Sequence, residues 1–176
     1  GSLLVARYYL ALVLLDLRRR DEAIAELEQV AAAGGNPSDT YYALGSAWLD
    51  AGRIPLAVQA LGSAAEADPS RPDIRIALAR ALRLSGRTGP AREQLERART
   101  SATSPGPGGQ EPPAAAEFYL ELGQLDLRQG RIAAAVSSFQ RVLESDPGHA
   151  DAQRLLAEAS RRARPRAAAP GSPREK

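Results

Sequence analysis

One 34-residue period organises most of this chain and constrains its fold more than any other feature. Leu10, Leu44 and Leu78 are spaced by 34 residues. Two further columns share this phase, namely Ala23, Ala57 and Ala91, and Leu27, Leu61 and Leu95. The same columns return ten residues late, as Leu122, Ala135 and Phe139. A fixed period of this length indicates a solenoid, in which each unit buries its apolar face against its neighbours.

Each period is predicted to form two helices. Apolar residues recur at helical spacing, and no alternating run of β-branched residues indicates a strand. Gly52, Gly86 and Gly130 fall near the middle of their periods, where glycine can end a helix in the left-handed conformation, and Arg18 takes this place in the first period. The sequence therefore predicts an all-α fold. Its units are 4–37, 38–71, 72–105 and 116–149, with a C-terminal capping helix at 150–164.

Two segments lie outside the period. A Pro/Gly-rich stretch at 106–115 is predicted to be an insertion loop, and the Arg-rich segment 165–176 is predicted to be a disordered basic tail. The formal net charge of +2 includes +5 from residues 161–176, so that residues 1–160 carry −3. Because the basic charge lies outside the repeats, a nucleic acid is not an expected partner of the folded part.

The second unit resembles a known repeat family. It has Tyr41, Leu44 and Gly45 at the spacing of the tetratricopeptide repeat, followed by Trp48 and a closing Pro69. The fourth unit is similar, whereas Ala replaces the glycine in the first and third. The resemblance covers about residues 4–164 and implies a right-handed superhelical solenoid of helix-turn-helix repeats. Arg is used 22 times and Lys once, which we interpret as the bias of a GC-rich, bacterial genome.

The resemblance also implies a concave groove lined by the first helix of each unit. Family members that hold acidic chaperone C-termini use a Lys/Arg and Asn clamp, and this chain lacks that clamp in the matching columns. We expect an apolar line along the groove floor at Tyr8, Tyr42, Ile76 and Leu120. We also expect a basic end at Arg80, Arg83 and Arg128 and an acidic end at Asp16, Asp39 and Asp50. The implied partner is an apolar helix or extended segment of a protein. The predicted groove residues are Tyr8, Leu12, Asp39, Tyr42, Ser46, Leu49, Ile76, Arg80, Arg83, Leu120, Gln124 and Arg128.

The first helix is predicted to be apolar around nearly its whole circumference. A helix of this kind is normally buried, yet the first helix of a solenoid should have one polar side. Either a further repeat precedes it in a longer chain, or it pairs with another molecule, including a second copy of this chain. The leading Gly1-Ser2 favours the first explanation. Leu4, Tyr9 and Val13 are the residues that we predict for an interface there.

The sequence offers little chemistry for catalysis. It has no Cys and one histidine, His149, at a predicted turn, and its carboxylates are scattered along exposed helix faces. We therefore expect no enzymatic activity, metal, cofactor or small-molecule substrate. The most apolar stretch, 3–17, is too short to span a membrane and contains Arg7 and Asp16. The sequence does not distinguish a cytoplasmic from a periplasmic soluble protein.

These observations predict a non-catalytic scaffold for protein–protein interaction. By family resemblance, its setting is the assembly of a bacterial envelope, pilus or secretion complex. Two other interpretations stay open. The chain could be a structural module that stacks on itself, or part of a longer array attached to an enzyme.

Overall fold

A computed structural model describes residues 2–104 and 112–163, and in them nine α-helices and no strand. The predicted all-α repeat fold is confirmed, with two helices in each period. Residues 106–111 of the predicted insertion and the whole predicted basic tail, 165–176, lie outside the described residues. The helices are α1 (Ser2–Asp16), α2 (Arg20–Ala32), α3 (Pro37–Asp50), α4 (Ile54–Ala67), α5 (Pro72–Leu84), α6 (Thr88–Thr103), α7 (Ala115–Arg128), α8 (Ile132–Ser145) and α9 (Ala150–Ala163).

Consecutive helices pack into hairpins, α1 with α2, α3 with α4, α5 with α6 and α7 with α8, and α9 packs on α8. Each hairpin then packs on the next through α2 and α3, α4 and α5, and α6 and α7. The first helices also contact one another in series, whereas the second helices of the described hairpins do not. The first helices therefore form the inner, concave layer, and the second helices form the outer layer.

Residues in the left-handed conformation end the first helices. Gly52, Gly86 and Gly130 have φ of 71°, 82° and 73°. At Gly52 the chain reverses, so that the Arg53 N–H donates to the Trp48 carbonyl at 2.8 Å. Arg18 occupies the same place after α1 with φ of 62°, where its Cβ is strained. All four first helices thus end in the same backbone conformation, which turns the chain into the second helix of each hairpin.

Small and large columns interlock in the core. The alanine column at Ala23, Ala57, Ala91 and Ala135 is fully buried. In the second and fourth hairpins a glycine of the first helix lies against a large side chain of the second. A Cβ on Gly123 would lie 2.5 Å from Cε1 of Phe139. Close packing of this kind holds each hairpin at one geometry and so fixes the direction of the inner faces.

Candidate functional site

The N-terminal half of the inner layer presents an aromatic and apolar surface. The i, i+4 spacing of Tyr8 and Leu12 on α1, and of Tyr42 and Ser46 on α3, places each pair on one helix face. All four side chains, and Leu49 on the same helix, are half-buried. Tyr8 and Leu12 pack on the core of the first two hairpins, and Tyr42 packs on the core of the second and third. The predicted residues of this half therefore keep one side available for contact.

An arginine and two carboxylates form an ion-paired cluster beside Tyr42. The Arg71 guanidinium donates to Asp39 Oδ1 at 2.5 Å and to Asp73 Oδ2 at 2.6 Å, and it lies 5.2 Å from the centre of the Tyr42 ring. Burial raises the pKa of Tyr42, and the carboxylates of Glu117 and Asp73 raise it further. Asp39 is thus ion-paired with Arg71, whereas Asp16 and Asp50, the other residues of the expected acidic end, are exposed.

Ile76 is not part of the groove floor. Its side chain is fully buried, with 0% exposure, in the main core cluster. The first helices α3 and α7 both contact α5, and their approach closes the space over this column. The predicted apolar line is therefore wrong at Ile76, while Tyr8, Tyr42 and Leu120 remain partly exposed.

The predicted basic end is wrong at Arg83. Its Nε and Nη2 donate to the two carboxylate oxygens of Glu121 at 2.8 and 3.2 Å, and the two side chains are only 8% and 5% exposed. Arg128 remains exposed, but its guanidinium donates to the Arg83 carbonyl at 3.0 Å. Arg80 is nearly half exposed and lies 3.8 Å from Glu121. Arg80 is thus the predicted arginine whose charge is most accessible from the groove.

A cavity of about 610 Å³ opens between α5, α7 and the start of α9. Arg80 and the half-buried Leu120 and Gln124, which are predicted groove residues, line it. Glu117 lines it too and falls in the groove column of Asp39 and Asp73, from which the 34-residue period locates it. The other polar groups of its wall, Glu121, His149, Asp151 and Arg154, were not predicted.

Glu117 and His149 have different surroundings in this wall. The pKa of Glu117 is raised, first by loss of hydration within the cavity wall and then by the Glu121 carboxylate, while Arg80 opposes the shift. His149 accepts the Ala152 N–H at Nδ1, 3.3 Å away, and so caps the first turn of α9. The histidine therefore has a structural role at this helix end, as expected for a turn residue.

A second cavity, of about 400 Å³, lies at the other end between α1, the end of α2 and the start of α3. Leu4, Tyr8, Val30 and Thr40 are among its lining residues. Thr40 occupies the column that the larger Ile74 takes in the next hairpin. Sequence reasoning missed it, since a period shows which column faces inward and not how much space is left.

The predicted N-terminal interface residues divide in two. Leu4 is half-buried against this second cavity, whereas Tyr9 and Val13 are 61% and 53% exposed.

Within the described residues no group of three or more His, Cys, Asp or Glu side chains could hold a metal ion. Residues 2–104 and 112–163 also contain no helix of the length and apolar character that crossing a bilayer requires.

Comparison with protein-family models gives two matches, both described as tetratricopeptide repeat. One model matches residues 8–72 and 120–169, and the other matches residues 49–105. Together they include most of the described chain. None of the curated proteins matches it.

Solved structures share the fold at low sequence identity. MamA 41-end from Desulfovibrio magneticus RS-1 has a TM-score of 0.74 at 18% identity, over 92% of this chain and 86% of that one. TTC0263, a thermophilic repeat protein in Thermus thermophilus, has a TM-score of 0.68 at 20% identity, over 88% and 80%. YrrB, described as having an unusual peptide-binding site, has a TM-score of 0.65 at 21% identity, over 88% and 75%.

Proposed function

Because the chain belongs to the tetratricopeptide repeat family, we propose that it is a non-catalytic scaffold that binds a segment of a partner protein along its concave face. A stack of hairpins holds its inner side chains at fixed separations, so that a partner is bound without reordering the scaffold. The setting, a bacterial envelope, pilus or secretion complex, stays a prediction of the family resemblance.

The observation that carries the proposal is the change of character along one inner face. Half-buried Tyr8, Leu12 and Tyr42 lie at its N-terminal half. Arg80 and the polar cavity of about 610 Å³ lie at its C-terminal half. Partly exposed aromatic residues in a concave surface are the type of residue that dominates binding energy in protein interfaces.

This arrangement selects a segment with an apolar part and an acidic part. The apolar side chains would pack over Tyr8 and Tyr42, because removal of the exposed part of each ring from water is favourable by about 25 cal/mol per Å². The acidic group would lie near Arg80, which Glu121 neutralises only weakly at 3.8 Å. Glu117 repels a second carboxylate, so the acid is confined to one side of the cavity.

Peptides selected from a random displayed library against the chain test this proposal. Selected peptides should combine aromatic or aliphatic residues with Asp or Glu, and their dissociation constants should be measured by fluorescence anisotropy. Tyr42→Ala and Arg80→Glu should each weaken binding by at least about tenfold, the equivalent of about 1.4 kcal/mol.

The matched control is Arg97→Glu on α6, where an exposed arginine pairs with Glu93 away from the first helices. It makes the same charge reversal as Arg80→Glu and should leave the affinity unchanged. Circular dichroism verifies that each variant is folded. Equal affinity of all the variants and the original chain would show that the peptides bind elsewhere and would refute the groove proposal.

A further inference from the structure

A stripe of apolar side chains runs along the side of α1 that faces away from the other hairpins. Leu3, Tyr9, Leu10, Val13 and Leu17 are each about half to two thirds exposed. Together they form a patch on the order of several hundred Å², the size at which exposed apolar surface marks an interaction site. No other helix of the described chain exposes so many large apolar side chains.

The equivalent columns of the other repeats indicate which kind of interface this stripe matches. Leu10 and Val13 share their columns with Leu44 and Ala47 on α3, which are both 2% exposed. Their counterparts on α5 are buried as well. Since α3 packs on α2 and α5 packs on α4, these columns face the preceding hairpin. The stripe on α1 thus continues an interface that the chain already builds between its own hairpins.

The side chains on α1 differ from those of the internal interfaces in one respect. Tyr9 stands where α3 and α5 have Ala43 and Ala77, both buried. Alanine there lets two helices approach closely, while an exposed tyrosine ring holds a helix further out. The stripe is therefore shaped for a wider helix pairing than the one between successive hairpins.

Charge favours a second copy of the same surface as the occupant. A two-fold axis brings the same patch of both copies together, so a patch with charges of one sign would repel its own copy. The five side chains of the stripe are uncharged, Arg7 of α1 turns to Glu26 of α2 at 2.8 Å, and the exposed Asp16 lies at the end of the helix. A head-to-tail arrangement is unfavourable, because the outer face of α9 exposes Gln153, Arg154 and Arg161.

We propose that two copies of the chain pair through α1 about a two-fold axis, with Tyr9, Leu10 and Val13 at the contact. The pairing centres on Leu10 and Val13, which lie on the side of α1 away from Tyr8 and Leu12. The Tyr9 ring borders the Tyr8 ring at a centre-to-centre distance of 5.7 Å, so the contact begins at the edge of each groove and leaves the grooves open. The dimer would therefore present two grooves, and its failure would leave the groove proposal intact.

Sedimentation velocity over a wide range of concentrations tests the pairing. The original chain should show a reversible monomer–dimer equilibrium. Tyr9→Arg and Val13→Arg should each weaken it by about a hundredfold, because one substitution enters the interface twice and each unpaired charge costs about tenfold. Ala157→Arg on the exposed outer face of α9 is the matched control and should leave the equilibrium unchanged.

Cross-linking determines which surfaces meet. The chain has no Cys, so Val13→Cys and Ala157→Cys each introduce a single thiol. A bismaleimide should link two Val13→Cys chains, but neither two Ala157→Cys chains nor a mixture of the two. A monomer at every concentration, a dimer insensitive to the α1 variants, or a link between positions 13 and 157 would each overturn the proposal.

Discussion

Arg83 and Glu121 form a bidentate ion pair in the interior of the protein, with guanidinium-to-carboxylate distances of 2.8 and 3.2 Å. The pair joins α5 to α7 across 38 residues of sequence. Both residues line the polar cavity, and Arg80 approaches the same carboxylate from the exposed side at 3.8 Å. One buried acid thus sets both the register of two first helices and the charge of the candidate site.

Removal of this acid should be strongly destabilising. Glu121→Ala leaves the Arg83 guanidinium buried without its counter-charge, which costs about 3–5 kcal/mol of unfolding free energy. Urea denaturation followed by circular dichroism measures the loss. Replacement of both partners by apolar residues, as in Arg83→Met with Glu121→Leu, should recover most of it, because no unpaired charge remains.

An exposed ion pair provides the control for this prediction. Arg141 and Glu144 approach to 2.7 Å on α8, but both side chains are more than half exposed. Glu144→Ala should cost less than about 1 kcal/mol, since water screens the interaction. If Glu121→Ala proved no more costly than Glu144→Ala, the ion pair would not be what holds α7 against α5.

Three of the glycines inside helices, Gly45, Gly62 and Gly123, should respond differently to alanine. A Cβ at Gly123 would meet the Phe139 ring, and one at Gly45 would meet the Leu61 side chain, whereas a Cβ at Gly62 has no atom within 4 Å. Gly123→Ala should cost about 1–3 kcal/mol through overpacking against a rigid ring. Gly62→Ala should instead gain about 0.5–1 kcal/mol from helix propensity.

Gly45→Ala should fall between these two, because the first and third units already accommodate Ala11 against Leu27 and Ala79 against Leu95. Thermal or urea unfolding of the three variants under one set of conditions gives the order. Equal effects at Gly123 and Gly62 would mean that the core relaxes freely around Phe139.

The 34-residue period predicts which way the side chains of a column point, but it does not predict how closely neighbouring helices approach them. It located Tyr42 and Leu120 on the inner face, because a repeated column faces the same way in every unit. It failed at Ile76, since only the approach of α3 and α7 to α5 decides that this column is closed. It also failed at Arg83, because Glu121 occupies a column where two other units have alanine, so no repeated pattern signals a buried acid there.

Replacement of Arg18 by glycine should stabilise the first hairpin. Arg18 has φ of 62°, close to the 71° of Gly52 at the equivalent turn. A residue with a Cβ costs roughly 1–2 kcal/mol in this conformation, and glycine does not. Arg18→Gly should therefore raise the unfolding free energy by about 1 kcal/mol, measured in urea. Gly52→Ala should lower it by a similar amount, and an increase there would contradict the strain argument.

The carboxyl group of Glu117 should make stability fall as the pH rises above 4.5. Its pKa in the folded protein is raised above the ordinary 4.5, mainly by loss of hydration and further by Glu121 and Asp73. The folded state therefore holds this proton more tightly than the unfolded state, so that ionisation favours unfolding between pH 4.5 and the raised pKa.

The Glu117→Gln variant tests this prediction, because it removes the ionisation. The variant should have the higher urea midpoint near neutral pH, and the difference should decrease in acid as the original chain becomes protonated, below a pH of 4.5. A difference between the two proteins that stays constant across this range would show that hydrogen bonding or packing, and not the charge of Glu117, distinguishes them.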